Sequence, residues 1–202
     1  MASSKTEICN LALSHLGIGT EISNVDTEQS TDAATMRRFY EIAKDECFRD
    51  FNWPFATKFA TLALVEEDAT EEWGFSYRYP SDCLRLRRIL SGVRNDNRQS
   101  RVPYKIGQDD SGLLIYTDME DAEIEYTKMS DDPSLYPSDF TMALSYKLAF
   151  YVAPRLAKGD PFGLGQKSAQ NYMLYMNKAA NNALNEQQDE EDPQAEYIRS
   201  RE

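Results

Sequence analysis

Apolar residues near the start of the chain recur at helical spacing. Ile8, Leu11, Ala12, His15 and Leu16 fall on one face, with Ser4 or Thr6 able to cap the start and Gly17 placed to close the end. A polar stretch, "GTEISNVDTEQS", leads to a second start signal at Ser30 or Thr31. Met36, Phe39, Tyr40, Ala43, Cys47 and Phe48 then repeat at the same period. This second helix is expected to run to about Phe51, because residues ahead of Pro54 are pushed out of helical geometry.

From Thr61 the period shortens. Candidate strands cover Thr61 to Val65, Phe75 to Tyr79, Cys83 to Leu90, Val102 to Ile106, Leu113 to Tyr116 and Ala122 to Lys128, separated by turn-forming "YPSD", "SGVRNDN" and "QDDSG". The alternation across Arg85 to Arg88 is imperfect. Helical spacing returns after Pro137: Phe140, Leu144, Leu148 and Val152 step by four until Pro154, which is expected to kink or end the helix. "KGDPFGLG" connects to a last helix with a stripe of Ala169, Tyr172, Met173, Met176, Ala179, Ala180 and Ala183, narrow enough for close packing on another helix.

The order helix, helix, strands, helix, helix predicts an α+β fold. Its simplest closure is an antiparallel bundle of the N- and C-terminal helices (residues 1–60 and 133–185) carrying an inserted antiparallel sheet (61–132). Beyond it, 186–202 reads "EQQDEEDPQAEYIRSRE", too acidic to pack on itself. It ends in Tyr197, Ile198, Arg199 and Arg201, two apolar anchors and two guanidinium groups. That pattern suits a docking peptide that orders on a partner.

Composition changes the picture in one respect. The chain of 202 residues is long enough for a substantial core, but 34 acidic against 22 basic residues leave a net charge of -12. A surface of that sign repels phosphate backbones and disfavours general nucleic-acid binding. No apolar run reaches the roughly 20 residues of a membrane span, and the first residues lack a signal-peptide pattern, so a mature cytoplasmic start is expected. Cys9, Cys47 and Cys83, odd in number and far apart, read as reduced, buried thiols.

Candidate chemistry is sparse. The single histidine, His15, lies on an apolar helix face with no partner at a helical offset, the usual setting of a core histidine. Catalysis that needs a histidine beside a serine or cysteine is unsupported. "GIG" lacks the third glycine and preceding strand of a dinucleotide loop, and the acidic pairs at 66–68, 109–110, 120–121 and 131–132 lack calcium-loop spacing. Neither a metal nor a cofactor is expected, and the reading is non-enzymatic. Arg85, Arg87 and Arg88 are open to a solvated, ion-paired face or to an interface.

Four stretches carry a family resemblance: "TEICNLALSHLG", the "DTEQSTDA" loop, "FNWPFATKFATLAL" and "YRYPSDCLRLRRIL". Together they resemble the head-to-tail adaptor, or tail tubular protein A, family of tailed bacteriophages, most strongly over residues 5–90. "LSYKLAFYVAPRLAKGD" and the alanine-rich helix are similar more loosely. The resemblance implies a virion structural protein that forms a ring, typically of twelve copies, below the portal and joins the DNA-filled head to the tail. It implies assembly in the host cytoplasm, contacts with the portal and a downstream tail or nozzle protein, and DNA passing through the lumen without specific binding. On this reading Phe51, Trp53, Pro54 and Phe55 form a rigid structural hinge, and the C-terminal peptide docks on the portal. Three other readings stay open: another neck component, such as a stopper or terminator; an acidic DNA mimic; and a hydrolase using clustered carboxylates and a divalent metal.

Overall fold

The computed structural model describes residues 4–93 and 100–186. Ser4 starts helix α1 (Lys5–His15) with a capping box, its hydroxyl accepting the Glu7 N–H while the Glu7 carboxylate accepts the Ser4 N–H. The chain leaves through Leu16 and Gly17, whose φ of +69° only glycine adopts cheaply. Helix α2 (Thr31–Asp50) is capped by the Ser30 hydroxyl on the Ala33 N–H and stops at an extended Phe51. A 3-10 turn (Pro54–Ala56) follows.

Among the described residues seven strands come next: β1 (Thr57–Thr61), β2 (Leu64–Glu67), β3 (Phe75–Arg78), β4 (Cys83–Ile89), β5 (Lys105–Asp109), β6 (Gly112–Thr117) and β7 (Glu123–Lys128). They form a three-stranded sheet in the order β1-β7-β4 and a four-stranded antiparallel sheet in the order β2-β3-β6-β5. Helices α3 (Ser138–Leu156) and α4 (Leu164–Asn185) complete the described chain, which is thus α+β.

Two compact units emerge. The first takes the residues up to Lys58, Asp82–Arg85 and Thr127–Leu184, and the second Phe59–Ser81 and Leu86–Tyr126. The first unit has one continuous apolar core drawn from all four helices. Ile8 and Leu13 of α1, Met36 and Phe48 of α2, Phe140, Leu144, Leu148 and Val152 of α3 and Ala179 of α4 are all enclosed. The start of α4 lies so close to α3 that a Cβ on Gly165 would meet Ala153 Cβ at 2.8 Å. Asp160 holds that start in place, its carboxylate accepting from the Leu164 and Gly165 N–H groups. In the second unit Tyr77, Ile115, Leu114, Ile124 and Tyr126 supply the burial.

Several expectations need correction. The strand expected over Thr61 to Val65 is two strands, because the chain changes partners at residue 62: the Leu62 N–H bonds Ala122 O, whereas Ala63 O accepts the Arg78 N–H. The strand expected from Val102 starts at Lys105, since Pro103 has no N–H to donate and its carbonyl instead accepts the Thr117 hydroxyl. Pro154 does not end α3, which runs on to Leu156; in the last turn only one hydrogen bond is forgone. Met173 leaves the α4 stripe and is 67% exposed, because the buried face follows Gly165, Ser168, Tyr172, Ala179 and Ala183, and Met173 lies a 100° step beyond Tyr172. Cys9 and Cys47 are buried, but Cys83, at the start of β4, is only half-buried.

Candidate interaction surface

The segment that carries the resemblance is built from the end of α2 outward. Where the helix stops, Phe51 turns extended, and Trp53 folds back with only 1% exposure, donating its indole N–H to the Cys47 carbonyl at 2.9 Å. Phe140 stands edge-on to the Trp53 ring at 5.0 Å, and Phe51 and Phe55 flank it at 5.1 and 5.8 Å. Pro54 begins the 3-10 turn, where its missing donor costs nothing, and the Thr57 hydroxyl closes it on the Trp53 carbonyl. All these rings lie in the first unit, so the segment is a packed plug and not an open cleft. Burial pushes the Cys9 and Cys47 thiols up to about 12, which leaves no thiolate at neutral pH.

The remaining chemical candidates are occupied by the fold itself. His15 is half-buried, stacks on Tyr146 at 3.8 Å and shares a 3.0 Å hydrogen bond with the Ser145 hydroxyl, and burial lowers its pKa. Arg87 and Arg88 both pair with Glu125, and Arg85 donates to the Arg49 carbonyl at the end of α2. Arg87 and Arg88 are thus ion-paired within the fold, and Arg85 is hydrogen-bonded to backbone. Buried Lys44 holds Glu41 at 2.6 Å and Asp131 at 2.7 Å; burial opposes its charge, but the two carboxylates prevail and its pKa is raised. Among the described residues, no three His, Cys, Asp or Glu side chains are grouped to hold a metal ion, and no helix is long and apolar enough to cross a membrane.

What the molecule does present is the four-stranded sheet of the second unit. Neither β2 nor β5 has a second strand neighbour among the described residues, and β2 is exposed along its whole length. At one end of this sheet the loop after β2 meets the loop after β6, where the Asp118 carboxylate accepts the Gly74 N–H at 2.9 Å. Glu66, Glu67, Asp68, Glu71 and Glu72 thereby share an end with Asp118, Glu120 and Asp121. The sequence scatters these acids over two distant loops, and only the pairing of Phe75 with Glu67 and Thr117 unites them. Tyr197, Ile198, Arg199 and Arg201 lie outside the described residues.

Compared with known proteins, the chain matches no family model and no curated sequence.

Proposed function

We propose that this chain is a structural, non-enzymatic component of a tailed-phage neck: a head-to-tail adaptor that forms a ring between the portal and the tail. On this reading the four helices form an antiparallel bundle, the strands between them an inserted sheet, and residues 186–202 an extended arm. One observation carries the proposal. The residues most distinctive in the sequence, Trp53, Pro54 and Phe55 with the arginines of β4, are all spent on packing and internal pairing, while the surface left open includes the edges β2 and β5, which have no further strand neighbour among the described residues. Such an inventory suits a part that recognises neighbours. The net charge of -12 suits a conduit to which DNA does not adhere.

The test is assembly on the portal. Purified protein mixed with portal is expected to give a ring on one face of the portal in negative-stain micrographs, and removing residues 194–202 is expected to abolish this while leaving the melting temperature unchanged. Virions that lack the protein yet keep their DNA and bear tails would show the adaptor role to be wrong. Truncated protein that still binds portal at full affinity would remove the docking role of Tyr197, Ile198, Arg199 and Arg201.

The acidic end of the sheet favours a second reading, an acidic DNA mimic that occupies the site of a DNA-binding protein. Competition in a gel-shift assay separates the two, since a mimic displaces DNA from its target at stoichiometric amounts and an adaptor does not.

A further inference from the structure

Two lateral rows cross the four-stranded sheet from edge to edge. In the first, Leu64 on β2 stands opposite Tyr77, Tyr77 opposite Ile115, and Ile115 opposite Ile106 on β5. Its middle residues are buried, but both ends are apolar and open: Leu64 is 48% and Ile106 47% exposed. In the second, Glu66 on β2 leads through Ser76 and Tyr116 to Lys105 on β5. This row ends in a carboxylate at one edge and an ammonium group at the other. Because each neighbouring pair in the sheet is antiparallel, β2 and β5 run in opposite directions.

We propose that β5 of one copy adds to β2 of the next, so that the antiparallel sheet continues from copy to copy with all copies in the same orientation. Opposite strand direction is what this join requires. The ladder between β2 and β3 carries a bulge at Val65, two β2 residues facing one on β3, and both rows continue when the incoming strand spans that same bulge. Ile106 meets Leu64 of the next copy, and Lys105 meets Glu66, while the outward backbone groups of both edges find partners. The contact is heterologous, so it closes into a ring when the rotation per copy divides the circle. Pairings of like edges fit worse. Two β2 edges set carboxylates against apolar residues or one another, and two β5 edges need Asp109, which already holds Arg78 with both oxygens. Through closure the inference deepens the ring part of the adaptor reading and rests on it, but the strand contact has its own test.

That test is a disulfide trap. Within one copy, positions 64 and 106 are three strand spacings apart, roughly 14 Å, too far for an internal bridge. The full-length double variant Leu64→Cys, Ile106→Cys, concentrated under a mild thiol oxidant, is expected to give a ladder of covalent multimers, with the wild-type chain giving none. Adding Lys105→Glu should lower the yield roughly fivefold, as an attractive cross-strand pair becomes a repulsive one, and Glu66→Lys added to that should restore it. Melting curves of each variant establish that it is folded. No ladder from the folded double variant overturns the strand contact, as do dimers formed equally well by either single cysteine variant. Rings on the portal without a ladder remove the edge contact and leave the adaptor reading; a ladder without portal binding does the reverse.

Discussion

In the helical unit the largest side chains, Trp53, Tyr40, Phe48 and Phe140, are enclosed on every side, and one apolar cluster links all four helices. In the four-stranded sheet of the second unit burial is confined to the central strands β3 and β6, and Leu64, Val65, Ile106 and Leu113 stand open. A helix satisfies its own backbone and needs only to cover one stripe, whereas a sheet always leaves two edges to be paired, blunted or covered. Both units expose large apolar side chains, Phe162, Met173 and Leu174 among those of the first, but among the described residues it is the four-stranded sheet that adds unpaired strand edges to the second. Its stability comes from rows and surface pairs, and its free edges are where another molecule has most to offer.

The sharpest way to break that comparison is at Trp53. Removing its indole leaves a large void among Phe51, Phe55 and Phe140 and frees the Cys47 carbonyl from its donor. Trp53→Ala is expected to cost about 3–5 kcal/mol, read from urea denaturation. An unchanged midpoint would mean that the aromatic plug does not hold the helical unit.

The helical stripes were legible because their information is local: Phe140, Leu144, Leu148 and Val152 repeat within one segment, and all four are buried. The sheet was legible only as a set of segments. Which residue faces which depends on pairings such as Tyr77 with Ile115, 38 positions away, and no periodicity encodes them. The same holds for the acidic end and the two open rows, which exist only once register is known. The break at residue 62 was hidden for a related reason, since a run with strand character throughout does not reveal that its halves serve different sheets.

A second effect tests the tightness of the helical unit through its lone histidine. Burial lowers the His15 pKa, so the folded group takes up a proton less readily than the unfolded one, whose pKa is about 6.5. Above that value both states are neutral and the contribution to stability is complete. As pH falls below it the unfolded chain protonates first and stability is lost until the folded pKa is reached. Between pH 7 and 5 the urea midpoint should therefore decline, and in His15→Gln the decline should largely vanish. An equal slope in both proteins would show that the Ser145 and Tyr146 environment does not exclude the charge.

The smallest effect belongs to the sheet unit and shows what holds it in place of a deep core. Arg78 on β3 grips both Asp109 oxygens at 2.8 and 2.9 Å, reaching across the hairpin of β5 and β6. The guanidinium hydrogen bonds, helped by the Ser111 N–H, bring the Asp109 pKa down to about 2. A depressed carboxyl pKa stabilises the fold above its unfolded value near 3.9 and loses that contribution as pH falls toward about 2. The pair is open to water, so the shift should shrink in high salt, unlike an interaction sealed in a core. A carboxyl NMR titration should place Asp109 near 2 at low ionic strength, higher in concentrated salt, and higher still in Arg78→Met, where only the backbone N–H groups hold it below the unfolded value and salt has little further effect. If Asp109 titrates near 3.9 in the unaltered protein, the ion pair does not brace the hairpin, and the rows of the sheet alone must hold β5 where its edge is presented.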